Sequence, residues 1–312
     1  MATKTTLRHM LHTGEFIVAP GAFDCIGANA VERAGFPALY MTGMGTSLSR
    51  LGLPDYGLAT MSEMVNNASA IAASVPIPVI ADADTGYGNE LNMVRTVHEY
   101  ERHGVAGIHI EDQVFPKRCG HLGQKRVVPA TEFVSKIHAA VKARSSEDFI
   151  IIARTDANGV TGLEDALGRA NAALDVGADF ALVEAPETLA QLELIPQRVH
   201  GPCVLNMLVG GRSPLLPLRH VKEMGYRCVL LSDLLLNAAL GAYDDALQRT
   251  LHRQHETLHL DTIEPPAAIF SRFGAAEWDS VRPPHEPGAG GTPAAPLDHK
   301  PRIMTQSCSR MG

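Results

Sequence analysis

The sequence predicts an α/β protein built as a (β/α)8 barrel of the TIM type with an extra helix at its N-terminal end. Three observations carry this. An amphipathic helix that ends at Gly and runs straight into a β-rich apolar stretch recurs, in "VERAGFPALYM", "YERHGVAGIHI", "LDVGADFALVE" and "VKEMGYRCVLL". Such apolar runs alternate with helical spans, which implies a parallel sheet. Eight such units fill about 240 residues, the size of this barrel.

The strands are "FIVAP", "ALYMT", "PVIADAD", "GIHIED", "FIIIART", "FALVE", "CVLNML" and "CVLLSD", short enough to be fully buried. Helices are expected at about 22–34, 61–74, 90–103, 131–143, 163–176, 187–199, 214–224 and 234–258, to within roughly ±2–4 residues. Gly35, Gly104, Gly177 and Gly225 stand where a helix end calls for a left-handed residue. Residues before about 15 read as the extra helix. A doubly wound open sheet is the competing arrangement. Its one cue, "GMGTSL" at 43–48, lacks the third glycine of a dinucleotide loop and follows the second strand. Residues 1–281 therefore form one catalytic barrel domain including its C-terminal helices. The Pro/Gly-rich stretch 282–312 reads as a flexible tail with little apolar surface to bury.

The chain has 312 residues, 45% of them hydrophobic, enough for a large core. A formal net charge of −7 with no basic block gives no footing for nucleic acid or an anionic membrane as partner. No transmembrane span and no secretory signal are expected. Five cysteines, at 25, 119, 203, 228 and 308, form no CxxC pair. A reducing, cytoplasmic setting follows.

In such a barrel the active site lies at the C-terminal ends of the strands. Here those ends carry Asp24, Thr42, Asp82, Asp84, Glu111, Asp112, Arg154, Asp156, Glu184, Asn206, Ser232 and Asp233. Capping of the next helix explains some of them, with Asp112, Asp156 and Asp233 suiting that role best. It does not explain charge inside the apolar run, as in "HIE" and "IAR". Residues i and i+2 of a strand share a face, so Asp82 and Asp84 are expected at the barrel mouth, with Glu111 entering from the next strand. Three carboxylates there suit a hydrated divalent ion, Mg2+ above others and Mn2+ as a substitute. Neutralisation by Lys117, Arg118 or Arg154 is the plainer alternative. Cys119 follows the fourth strand beside Lys117, Arg118 and His121, which should favour its thiolate and make it a candidate acid or base. The other cysteines read as structural. His109 faces the interior, as a core or a catalytic residue.

"DADTGYG", "HIEDQ", "KRCGH" and "ARTD", in this order on successive units and joined by "PGAFD", "LYMTG" and "LNM", resemble the isocitrate lyase/phosphoenolpyruvate mutase superfamily over about residues 15–275. "KRCGH" behind "IEDQ" is the most specific part. It marks the carbon–carbon lyases, and here the 2-methylisocitrate and alkylmalate (dimethylmalate) lyase branch with the related oxaloacetate hydrolases.

The resemblance implies that Asp82 and Asp84 hold Mg2+, directly or through water, with Glu111 in support. It implies a loop of Tyr40, Thr42, Gly43 and Met44 that receives the substrate's α-carboxylate through backbone amides. Arg154 binds the oxo or hydroxy acid end, Gly120, His121 and Asn206 meet a second carboxylate, and Glu184 is a polar wall. Cys119 protonates the leaving carbanion under a mobile loop. A homotetramer exchanging its eighth helix between neighbours is implied as well. The implied activity is cleavage of a substituted 2-hydroxy di- or tricarboxylate to an oxo acid and a second carboxylate. Hydrolysis of oxaloacetate to oxalate and acetate is the alternative; a phosphonate mutase and a non-catalytic barrel fit less well. Two positions depart from the lyase pattern: Val209 stands where Glu is frequent, and Ser232 stands where Pro is usual, as in the hydrolase branch.

Overall fold

The computed structural model describes residues 6–252 and 264–281. Eight parallel strands close into a barrel in sequence order. They are β1 Ile17–Ala22, β2 Leu39–Met41, β3 Val79–Asp82, β4 Gly107–Glu111, β5 Ile150–Thr155, β6 Phe180–Val183, β7 Cys203–Asn206 and β8 Cys228–Leu231. β8 returns to β1 with Cys228 opposite Ile17. The helices are α1 Leu7–Thr13, α2 Cys25–Arg33, α3 Gly43–Thr46, α4 Met61–Ser74, α5 Glu90–Arg102, α6 Ala130–Ala143, α7 Leu163–Asp175, α8 Leu189–Arg198, α9 Leu218–Glu223, α10 Leu234–His252, α11 Pro266–Arg272 and α12 Ala275–Val281.

The expected order of elements holds. Gly35, Gly104, Gly177 and Gly225 all take a positive φ, between 80° and 106°, the conformation that only glycine adopts without a Cβ penalty. The helix expected at 214–224 is shorter. Pro217 sits at the N-cap of α9, and a residue preceding proline is pushed out of the helical region. "GMGTSL" is neither a loop nor a nucleotide turn: it forms α3 and runs into a π-helical turn, Ser47–Leu51. β3 stops at Asp82, two residues earlier than expected.

Alternation along the strands builds the interior. Ile17 and Ala19, Ile80, Ile150 and Ile152, Phe180 and Leu182, Val204, and Cys228 and Leu230 pack in one buried cluster. Leu7 and Met10 of α1 join it from the N-terminal end, so the extra helix plugs the barrel floor. Stepping two residues further along the same strands reaches Asp82, Arg154, Glu184, Asn206 and Ser232. The inward face thus changes from apolar to polar at one level around the ring, which places the site. Outward strand residues pack under the helices in two further clusters.

Two compact units are present, Met1–Asp261 and Thr262–Gly312. α11 and α12 therefore belong to the second unit, and the expected boundary at 282 moves ahead of them. The tail 282–312, Cys308, and residues 253–258 of the expected eighth helix lie outside the described residues.

Candidate active site

A small pocket opens at the C-terminal mouth of the barrel. Tyr40, Thr42, Met44, Asp82, Cys119 and Gly120 line one part of it, and His121, Arg154, Glu184, Asn206 and Ser232 another. The sequence-predicted residues thus converge, with three outside the lining: Gly43, Asp84 and Glu111.

Gly43 lies behind Asp82. A β-carbon there would stand 2.3 Å from Asp82 Oδ2, so only glycine lets the loop pass. Thr42 caps α3, its side chain accepting the Gly45 N–H. Gly43 and Met44 open that turn, where amides have no intrahelical acceptor. Tyr40 is not part of the loop. It belongs to β2, and its hydroxyl donates to Asp82 Oδ2 at 3.2 Å and lies 2.7 Å from His109 Nε2. Burial, with Asp82 adding, raises the Tyr40 pKa well above the ordinary phenol range, so the proton stays available. Burial lowers the His109 pKa. The neutral ring then donates from Nε2 to Tyr40, and its Nδ1 has no hydrogen-bond partner.

Asp84 does not share the mouth with Asp82 by strand alternation. It follows the strand in a left-handed conformation, φ 47°, with its N–H donated to Asp82 Oδ1 at 2.9 Å. Its carboxylate meets Lys117 Nζ at 2.8 Å, and the same ammonium lies 2.6 Å from Asp55. Lys117 and Asp55 both line the pocket. Burial opposes the Lys117 ammonium, but Asp84 and Asp55 outweigh it and raise its pKa. Burial likewise pushes the Asp82 carboxyl up. The groups facing it, His109 first and then Lys117 and Arg154, outweigh burial and hold it below the usual carboxylate range. Glu111, at the end of β4, has its pKa raised well above the carboxylate range by burial, with Arg154 opposing.

Among the described residues no three His, Cys, Asp or Glu side chains are gathered closely enough to hold an ion directly. The residues fit a largely hydrated divalent ion: Asp82 presents an ionised carboxylate to the pocket, and Glu111 Oε1 is buried with no hydrogen-bond partner.

Arg154 is the hub of the opposite wall. Its Nε donates to Asp156 Oδ2 at 3.1 Å, and its Nη2 lies 3.3 Å from Glu111 and 3.5 Å from Glu184. Glu184 Oε1 accepts from Asn206 Nδ2 at 2.9 Å, and Asn206 Oδ1 accepts from Ser232 Oγ. Burial works against the Glu184 carboxylate, yet Arg154 and His121 lower its pKa far into the acid range. His121 accepts the Arg212 N–H at Nδ1, 3.0 Å. Its proton therefore sits on Nε2, 3.3 Å from Glu184 Oε1.

Of the carboxylates assigned to capping, Asp112 and Asp156 serve otherwise. Asp112 accepts from Thr155 Oγ1 and the Asp156 N–H and pairs with Arg169. Asp24 is the cap, its side chain accepting the Gly27 N–H before α2. Asp233 precedes α10, and its carboxylate accepts the Val209 N–H and Asn237 Nδ2. Val209 itself is exposed and points out of the network; its neighbour Leu208 lines the pocket.

Cys119 overturns an expectation. Its basic neighbours do not favour a thiolate: Lys117 turns to Asp55 and Asp84, and Arg118 stacks 5.2 Å over Tyr56 and bonds Gln124. Burial pushes the Cys119 thiol pKa up, so it is a protonated thiol facing the pocket. Cys203 and Cys228 are buried strand residues with thiols raised to about 12 by burial, as the structural reading requires.

Over residues 7–251 the chain matches the family described as phosphoenolpyruvate phosphomutase. The chain belongs to this family. It is 47% identical to 2,3-dimethylmalate lyase of Eubacterium barkeri over 230 residues, 74% of this chain and 80% of that one. It is 38% identical to 2-methylisocitrate lyase of Aeropyrum pernix over 273 residues, 88% of each. Oxaloacetate acetylhydrolase in complex with 3,3-difluorooxalacetate superposes with a TM-score of 0.85 at 40% identity, over 89% of this chain and 95% of that one. Phosphonopyruvate hydrolase in complex with oxalate and Mg++ superposes with a TM-score of 0.79 at 29% identity, over 90% and 98%. The family member described here is a carbon–carbon lyase of the isocitrate lyase/phosphoenolpyruvate mutase superfamily.

Proposed function

We propose that the protein cleaves a substituted 2-hydroxy di- or tricarboxylate of the alkylmalate or 2-methylisocitrate type into an oxo acid and a second carboxylate. The observation that carries this reading is the protonated Cys119 thiol set in one pocket with Asp82 and Arg154. Arg154 binds the hydroxy-acid carboxylate, aided by the turn at Thr42, Gly43 and Met44. Gly120, His121 and Asn206 take the second carboxylate, with Glu184 fixing His121 and Asn206. Met44 and Leu208 supply the apolar surface that suits an alkyl substituent.

As the C2–C3 bond breaks, the 2-hydroxyl passes its proton to the ionised Asp82 carboxylate in the pocket wall, C2 becomes a carbonyl, and the electron pair passes to C3. Cys119 Sγ–H delivers the proton to that carbon, and the loop around it keeps water out. Asp82, with Asp84 and Glu111 behind it, would hold Mg2+ largely through water, and Mn2+ can substitute. When bound, the ion supplies Lewis-acid stabilisation of charge on the substrate oxygens.

A second reading, hydrolysis of oxaloacetate to oxalate and acetate, draws on Ser232 in the pocket wall. One assay separates the two. Purified protein with Mg2+ is offered alkylmalates, 2-methylisocitrate, isocitrate and oxaloacetate, and pyruvate, glyoxylate and oxalate are measured. An oxo acid from the hydroxy acids supports the lyase; oxalate from oxaloacetate alone replaces it with the hydrolase.

No helix among the described residues is long and apolar enough to cross a membrane, and we place the enzyme in the cytoplasm. We also propose a homotetramer in which α10 passes to a neighbour. Leu240, Tyr243, Leu247 and Leu251 recur at helical spacing on α10 and are all exposed, an apolar face that calls for a partner. Light scattering behind size exclusion tests this; a monomer rejects it.

A further inference from the structure

Lys125 is a buried lysine outside the reacting groups. It follows the Cys119 loop, whose stem is tied by Gln113: Nε2 donates to the Arg118 carbonyl and Oε1 accepts the Arg118 N–H. The Lys125 side chain is 2% exposed. Its Nζ donates to the Gly120 carbonyl and, at 2.8 Å, to Asp156 Oδ1. The same Asp156 carboxylate receives Arg154 Nε at 3.1 Å and Nη2 at 3.4 Å. One ammonium therefore joins the residue after Cys119 to the carboxylate that orients the substrate-binding guanidinium. Burying an ammonium is costly unless it is paired and hydrogen-bonded, and Gly120 O and Asp156 together supply that pairing. Moving the loop away from Arg154 would break the first of these bonds.

We infer that Lys125 is a positioning residue that holds the Cys119 loop closed and couples that closure to Arg154 through Asp156. It touches no reacting atom; it acts by fixing where Cys119 stands. The Cys119 task and the movement of its loop rest on the lyase reading; the anchor rests on the Lys125 contacts to Gly120 and Asp156.

The test uses Lys125→Met, which keeps much of the stem and removes both bonds, and Lys125→Gln, which keeps a donor for Gly120 O without the charge for Asp156. Two readouts apply to the full chain with Mg2+: alkylation of Cys119 by iodoacetamide, followed by peptide mapping with and without oxalate, and steady-state kinetics on the best substrate. In wild type, oxalate should slow alkylation at least tenfold. In Lys125→Met that protection should fall below about twofold although oxalate still binds within about threefold of wild type, and kcat should fall roughly 10²-fold, the scale of a misplaced reacting group. Lys125→Gln should fall between the two. Wild-type protection and kcat within twofold in Lys125→Met overturn the inference. Loss of cooperative thermal unfolding in both variants overturns it too, because Lys125 would then serve the fold rather than the loop. If protection is lost while Cys119→Ser turns over normally, the anchor stands and the proton-donor reading fails.

Discussion

The α-carbon of Gly120 sits so close to Arg154 that a β-carbon on it would come within 2.3 Å of Nη2 and 2.6 Å of Glu184 Cγ. Gly120 takes no left-handed φ, so the requirement is for space, not for backbone freedom. Gly120→Ala should leave the barrel intact and keep the loop from seating. We expect kcat/KM to drop at least 10²-fold, the usual cost of about 1 Å of misplacement, with the thermal midpoint within a few degrees of wild type. Activity within threefold of wild type would mean that the loop has slack the geometry does not suggest.

Asp82 is an ionised carboxylate that faces the pocket, and the hydrated ion proposed there has few protein ligands. Asp82→Ala should lose activity by roughly 10³-fold or more, since Lewis-acid stabilisation amounts to several kcal/mol and each 1.36 kcal/mol is tenfold. Exhaustive chelation of wild type should do the same, and added Mg2+ should restore wild type only. Calorimetric titration of Mg2+ with oxalate should give heat with wild type and none with the variant. Full turnover after chelation removes the metal from the account.

The barrel and most of this site were legible because both follow from alternation. An inward strand position that carries Ile or Val low in the barrel and Asp, Arg, Glu or Asn at its end is visible in "FIIIART" and "CVLNML" without coordinates. What alternation does not reach is the loops. Asp55, in "LPDYG", has no period to mark it, and its role depends on Lys117 far along the chain. Lys117 and Arg118 adjoin Cys119 in sequence, yet their charges are spent on Asp55, Asp84, Gln124 and Tyr56, so the thiol is raised rather than lowered. β3 ends at Asp82, and two residues on, at Asp84, the backbone is left-handed, so the two-residue rule stops applying.

Ser232 has one hydroxyl proton, and it is donated to Asn206 Oδ1. That bond fixes the Asn206 amide so that Nδ2 faces Glu184. Ser232→Ala should therefore weaken substrate binding more than chemistry, raising KM severalfold with kcat of hydroxy-acid cleavage within about tenfold. Any oxalate made from oxaloacetate should fall much further, because the gem-diol formed at C2 can donate to a lone pair of Ser232 Oγ that alanine lacks. If wild type releases no oxalate, the hydrolase reading ends there. If the variant loses both activities equally, Ser232 serves only Asn206.

Cys119 carries the sharpest prediction. Burial raises its thiol pKa, and Lys117 and Arg118 are committed elsewhere. A group acting as an acid must be protonated, so turnover should persist while the thiol keeps its proton and be lost as pH rises through its folded pKa. That limb should lie above the ordinary thiol value of about 8.5. Cys119→Ser keeps the shape and raises the side-chain pKa far beyond the thiol's. Proton delivery should fail, with kcat down at least 100-fold, within the roughly 10²–10⁴-fold span of a removed general acid. Oxalate with Mg2+ should bind the variant as it binds wild type, because Arg154 and the carboxylates are untouched. The basic limb assigned to the thiol should vanish from the residual pH profile. A variant that turns over near the wild-type rate, or a limb that stays in place after the sulfur is gone, would show that another group protonates the leaving carbon. The assignment built on "KRCGH" would then have to be replaced.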